Sequence, residues 1–189
     1  MIYEDMIENR KVKTGDIIST KDGNNSIYAL GFKVLGELIP GTVDHTVMYI
    51  GPNGLCVESG LAGVIAFNVG TKWDSEDMFA KRGLIDTFYA ASSVLAGKGL
   101  STEKEEDIRN FVRGYVLGSV GKPYNFDFFH PDYEKAVYCS QLVYLAYKKM
   151  GVNLHVGAPA VPAVIGGLAA EIVFPQELLD GTTLIKPSA

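Results

Sequence analysis

The feature that most limits the fold is the run Asp44-His45-Thr46-Val47-Met48-Tyr49-Ile50, followed by Gly51-Pro52-Asn53-Gly54 and then Leu55-Cys56-Val57-Glu58-Ser59. Two β-branched and aromatic runs flanking a Gly/Pro/Asn turn predict a β-hairpin, and a hairpin fixes which side chains share a face. If Gly51 and Gly54 flank the turn, Val47 faces Glu58, and His45 stands one diagonal step away on the same face. The alternative register, with Asn53-Gly54 as the loop pair, preserves that parity, so only a bulge would part the two side chains. Diagonal neighbours lie roughly 7–8 Å apart at the backbone, a gap that a Glu and an imidazole can span.

An imidazole oriented by a carboxylate can act as a base, and it becomes part of a catalyst when a nucleophile lies within reach. The stretch from Tyr138 to Gly151 supplies a candidate. Leu142, Val143, Ala146 and Met150 recur at helical spacing, and Lys148, Lys149 and Gly151 suit a C-terminal turn and its cap. Cys139 falls in the first turn of this helix, on the apolar stripe, where unpaired N–H groups and the positive end of the helix dipole favour thiolate over thiol. A free cysteine on an apolar stripe is ordinarily a small core residue, and a strand His or Glu taken singly is ordinarily structural. It is the combination that selects Cys139 as nucleophile, His45 as base and Glu58 as the orienting carboxylate.

The remaining chain is consistent with one domain over residues 1–189, of 47% hydrophobic and 21% charged residues. After a polar lead-in, Lys13 to Thr20 reads as a turn feeding a short strand. Ser26 caps an amphipathic helix over 27–38, and Val64 to Phe67 and Ile85 to Ala90 read as further strands. The polar segment 71–77 between those two reads as a surface turn, with Trp73 either core or rim. Thr102 and Glu105 form a capping box for a helix through Ile108, Phe111, Val112, Tyr115 and Val116, which should pack beside the Cys139 helix. Residues 121–131 are aromatic and Pro-punctuated, as suits a loop folded over a site, and 157–170 is rich in Ala, Gly, Pro and Val. His130 and His155 sit in loop-like contexts that favour surface or capping roles. Cys56, in a strand interior without a helix dipole, reads as core.

A net charge of −5 with scattered Lys and Arg excludes nucleic acid as the main partner. Two cysteines without metal-ligand spacing make neither a disulfide framework nor a zinc site, so no metal or other cofactor is expected. The acidic start is no signal peptide and no apolar run reaches membrane-spanning length, so the chain reads as cytoplasmic, or as exported if a leader has been removed. Its oligomeric state is not legible.

Gly15-Asp16-Ile17-Ile18, Asp44 to Tyr49, Val57-Glu58-Ser59, Gly121-Lys122-Pro123-Tyr124, Tyr138 to Val143 and Phe174 to Leu178 together resemble the permuted papain-like amidases of the YaeF/YiiX group, distant relatives of NlpC-type peptidases. The resemblance implies an α+β, circularly permuted papain-like fold: an antiparallel sheet or small barrel packed against helices, one carrying the nucleophilic cysteine at its N-terminus. The order His, Glu, Cys looks permuted, since NlpC-type enzymes place the cysteine helix first. The chain departs from the group at Asp44-His45-Thr46, where a Ser often precedes the histidine. By resemblance, Cys139, His45 and Glu58 form the triad of a cysteine amidase or peptidase, and Tyr124 is the side-chain oxyanion donor. The substrate expected is a small peptide, amide or lipid-like molecule. Alternatives are a lipid acyltransferase or amidase of the retinol-acyltransferase-like branch, whose tunnel 157–170 and 124–129 could line, and a catalytically idle binding module.

Overall fold

The computed structural model describes residues 1–21, 41–82, 86–155 and 172–188. At its centre β4 (His45–Gly51) pairs antiparallel with β5 (Leu55–Gly60), with Val47 opposite Glu58 and Tyr49 opposite Cys56. This is the register in which Gly51 and Gly54 flank the turn. A one-residue shift does occur, but on the turn side, where Gly51 faces Leu55 and where Asn53 and Gly54 take φ of 62° and 67°. Lying beyond Tyr49, the shift leaves His45 and Glu58 on one face.

With β3 (Ile17–Lys21), β6 (Gly63–Asn68), β7 (Thr87–Ser93) and β8 (Thr183–Leu184) these strands form an antiparallel sheet in the order β6-β5-β4-β3-β7-β8. Alternation along the strands splits the interior into two layers. Ile17, Met48, Ile50 and Val57 face helices α2 (Thr102–Gly118) and α3 (Cys139–Lys148), meeting Val112, Val116, Leu142 and Ala146. Ile18, Val47, Tyr49, Cys56 and Phe67 form the opposite layer with Trp73 and with Met78 of helix α1 (Glu76–Arg82). Each fully buried aliphatic or aromatic side chain contributes about 1.5–3 kcal/mol, so neither layer is dispensable. Helix α4 (Pro175–Asp180) follows α3 in the chain and packs against it.

Three segments differ from the sequence expectation. The polar lead-in forms a hairpin of β1 (Glu4–Ile7) and β2 (Arg10–Lys13), which covers the second layer with Ile7 and Val12. Its turn residues Glu8 and Asn9 both take positive φ, and Glu8 is no signature residue for that conformation. The segment 71–77 is not simply a surface turn: Trp73 is core, at 5% exposure, and Glu76 opens α1. The strand expected over Ile85 to Ala90 runs instead from Thr87 to Ser93. The helix expected over 27–38 and the apolar stretch 157–170 lie outside the described residues.

One glycine is required by what passes close to it. Gly63, at φ 87° in the β5–β6 turn, would press a Cβ to 2.4 Å from the Lys122 carbonyl, which accepts from the Val64 N–H at 2.8 Å. The close approach lays residues 121–123 against the sheet just ahead of Tyr124.

Candidate active site

His45 is the first residue of β4, so its backbone has strand geometry. Its Nε2 is 2.8 Å from Glu58 Oε2. Glu58 is 3% exposed and ionised, because burial raises its pKa less than the neighbouring His45 and Arg82 lower it. A carboxylate only accepts, so Nε2 carries the proton and donates, leaving Nδ1 as the acceptor nitrogen of the neutral ring. The Cys139 sulfur lies close enough to the ring to act on its charge. Burial pulls the imidazole pKa down, but the Glu58 carboxylate and the Cys139 sulfur outweigh it and hold His45 well above the usual histidine value.

Cys139 opens α3 after Tyr138, whose extended backbone (φ −97°, ψ 172°) makes it the N-cap. Polar contacts fix this helix start on three sides. Ser59, next to Glu58, donates from Oγ to the Val137 carbonyl at 2.6 Å. Ser140 Oγ donates to the Val173 carbonyl at 2.7 Å, and the Val173 N–H donates to Tyr138 Oη at 3.1 Å. Gln141 accepts on Oε1 from the Tyr138 N–H and from Asn125 Nδ2, both at 3.1 Å. Its amide nitrogen reaches the carbonyls of His130, Pro131 and Tyr133 at 2.9–3.2 Å. Gln141 therefore ties the loop 125–133 to the first turn that holds Cys139. The cysteine itself is 8% exposed.

Tyr124 lies on the same side, in a parallel bridge with Val137, and its ring packs against Phe126 and Phe128. Burial first, then the charges of Cys139 and Tyr138, push its phenol pKa up, so at neutral pH it keeps its proton. The structure thus gathers His45, Glu58, Cys139 and Tyr124 around the start of α3.

The residues read as structural have other surroundings. Cys56 is fully buried in the strand interior on the Glu58 face of the hairpin, where desolvation, and after it the charge of Glu58, push its thiol pKa up. His130 is exposed and pairs with Asp127 at 2.7 Å. His155 is less open than its loop context implies: it pairs with buried Glu177 at 3.1 Å and meets the Tyr144 ring edge-on.

What sequence reasoning missed stands behind Glu58. Arg82, 1% exposed, donates from Nε to Glu58 Oε1 at 2.9 Å and closes a two-pronged pair with Asp86 through Nη1 and Nη2. The guanidinium lies 5.4 Å from the ring centres of both Phe67 and Trp73. The available signal was the i,i+4 spacing of Arg82 and Asp86 close after the lone Trp.

The model of the permuted papain-like amidase enzymes, YaeF/YiiX, C92 family, matches residues 11–163. The chain belongs to that family. Among solved structures it is similar to the crystal structure of the metalloprotein YiiX from Escherichia coli O157:H7, at 20% identity and a TM-score of 0.57, covering 93% of this chain and 97% of that one. That likeness establishes the fold. No curated protein matches the chain. Among the described residues no three His, Cys, Asp or Glu side chains are grouped to hold a metal ion, and both oxygens of Glu58 are engaged by His45 and Arg82. Nor is any described helix long and apolar enough to cross a membrane.

Proposed function

We propose that the protein is a cysteine amidase or peptidase working through Cys139, His45 and Glu58. The observation that carries this reading is the His45 ring, held by Glu58 through Nε2 and close enough to Cys139, the first residue of a helix, for the sulfur to act on its charge. His45 takes the thiol proton, and the thiolate attacks an amide carbonyl to give a tetrahedral oxyanion. The C–N bond then breaks, the departing amine takes its proton from the imidazolium, and a thioester remains on Cys139. Water, deprotonated by His45, hydrolyses the thioester and releases the acid and the free thiol. The Cys139 backbone N–H, which as an N1 donor has no partner within its own helix, faces the oxyanion together with the protonated phenol of Tyr124. Membership of an amidase family favours peptide-like amides as substrates.

The test is a panel of acyl amides and short peptides incubated with the enzyme, acid-quenched, and analysed by mass spectrometry. The expected result is an acyl adduct on Cys139 that accumulates before steady-state turnover. Undiminished turnover by Cys139→Ala, with no adduct on Cys139 in the parent, would overturn the reading.

A further inference from the structure

The charged chain behind Glu58 is more than the reading above requires. Asp86 collects four donors: Nη1 and Nη2 of Arg82, Trp73 Nε1 at 2.9 Å and Thr20 Oγ1. Those partners come from β3, the 71–75 turn and α1, and Thr20 is the cross-strand partner of His45 itself. Arginine is an obligate donor, so Arg82 Nε commits Oε1 of Glu58 and leaves Oε2 for the imidazole. Arg82 alone would also draw the negative charge of Glu58 away from His45. Asp86 offsets that positive charge, and a buried group at 6% exposure has little solvent to do so instead.

Taking that reading of the site as its basis, we infer that Arg82 and Asp86 are positioning residues for the reaction: Arg82 fixes which carboxylate oxygen of Glu58 meets His45, and Asp86 keeps the charge of Glu58 directed at the imidazole. The charged and titratable groups that bear on the ring are Glu58 from β5 and Cys139 from α3, with Arg82 and Asp86 behind the carboxylate. Tyr124, on the Cys139 side, stays neutral at working pH. A packing role for the pair predicts a loss of stability alone. A positioning role predicts separable effects on charge and geometry.

The experiment follows the His45 ring by NMR titration in the Cys139→Ala background, which needs no turnover, and measures kcat and KM in the active background. Asp86→Asn keeps the shape and removes one charge, and it should lower the His45 pKa by about one unit and kcat about tenfold. Arg82→Lys keeps the charge and loses the fork, and it should leave the His45 pKa within about 0.3 unit while kcat falls about tenfold at unchanged KM. Thr20→Val removes one hydrogen bond to Asp86 without touching a charge, and should lower kcat about threefold even where the other variants fold poorly. Folded variants whose His45 titration and kcat match the parent, or a Thr20→Val enzyme with unaltered kcat, would overturn the inference. If Cys139→Ala instead retains turnover, the catalytic reading falls, while the Asp86→Asn titration still decides whether the pair sets the charge at His45.

Discussion

The molecule contains two His–Glu pairs that look alike from their own geometry. His45 bonds Glu58 at 2.8 Å and His155 bonds Glu177 at 3.1 Å; both histidine side chains are 19% exposed, and both carboxylates are almost fully buried. What differs is the company. On one side of His45 stands Cys139 at a helix start, and behind Glu58 stands the Arg82–Asp86 pair. His155 instead meets the edge of the Tyr144 ring, and Glu177 accepts the Phe174 N–H at 3.3 Å, capping α4. A buried carboxylate on an imidazole is therefore no site in itself. What differs is Cys139 on the other side of the ring and the charged pair behind the carboxylate.

The sharpest way to break the comparison is to delete from each pair. Cys139→Ala and His45→Ala should each lower kcat/KM by about 10⁴-fold or more with the fold intact by circular dichroism, whereas His155→Ala should leave it within about threefold. A large loss in His155→Ala would make the second pair part of the chemistry.

The carboxylates come next. Glu58→Ala should cost about 10²- to 10⁴-fold in kcat, and Arg82 makes Glu58→Gln nearly as severe. The amide must give its one oxygen to the Arg82 Nε–H, which turns its NH₂ group to His45 Nε2 and forces the wrong tautomer on the ring. Glu177→Gln retains an acceptor for the Phe174 N–H, so its effect should be a lower melting temperature with kcat unchanged. A Glu58→Gln enzyme that keeps most of its activity would mean that Arg82 does not dictate the orientation.

Thiol labelling sharpens the contrast at the level of the cysteines. An alkylating reagent at neutral pH should modify Cys139 about a hundredfold faster than Cys56, as peptide mapping over time would record, because Cys56 has no exposed surface and a raised pKa. Preferential modification of Cys56 would remove the nucleophile assignment.

Acid tests the charged groups behind His45 more gently. Asp86 is buried, which raises its pKa, but Arg82 lowers it further, from 3.8 to about 2, and Glu58 is lowered as well. Carboxylates depressed on folding stabilise the native state above their ordinary pKa, and that stability is lost as pH falls through the folded value. Melting temperatures should therefore drop between about pH 4.5 and 2, with Asp86 accounting for about 2 kcal/mol. Asp86→Asn should flatten that slope, and an unchanged slope would remove Asp86 from the account.

The parts of the site that could be read beforehand are those governed by short-range periodicity. Strand alternation placed His45 beside Glu58 whichever turn register held, and helical spacing placed Cys139 in a first turn. Arg82 and Asp86 escaped because their meaning is tertiary: they lie 24 and 28 residues beyond Glu58, after a segment that looked polar and exposed, and only the packed layer around Phe67 and Trp73 buries them. Gln141 escaped for a related reason. On a helix it reads as one more polar position, while its amide in fact gathers a loop whose ends no local pattern ties to it.

The clamp at the start of α3 also bears on the order in which the site comes into being. The chain leaves the ribosome with His45, Glu58, Arg82 and Asp86 well ahead of Cys139, so the charged cluster can assemble on the sheet before the helix that carries Cys139 is made. Cys139 arrives late, and the last contacts of its helix start form when Val173 emerges to accept from Ser140 and to donate to Tyr138. The helix start that holds Cys139 is thus completed by a segment from the far end of the chain.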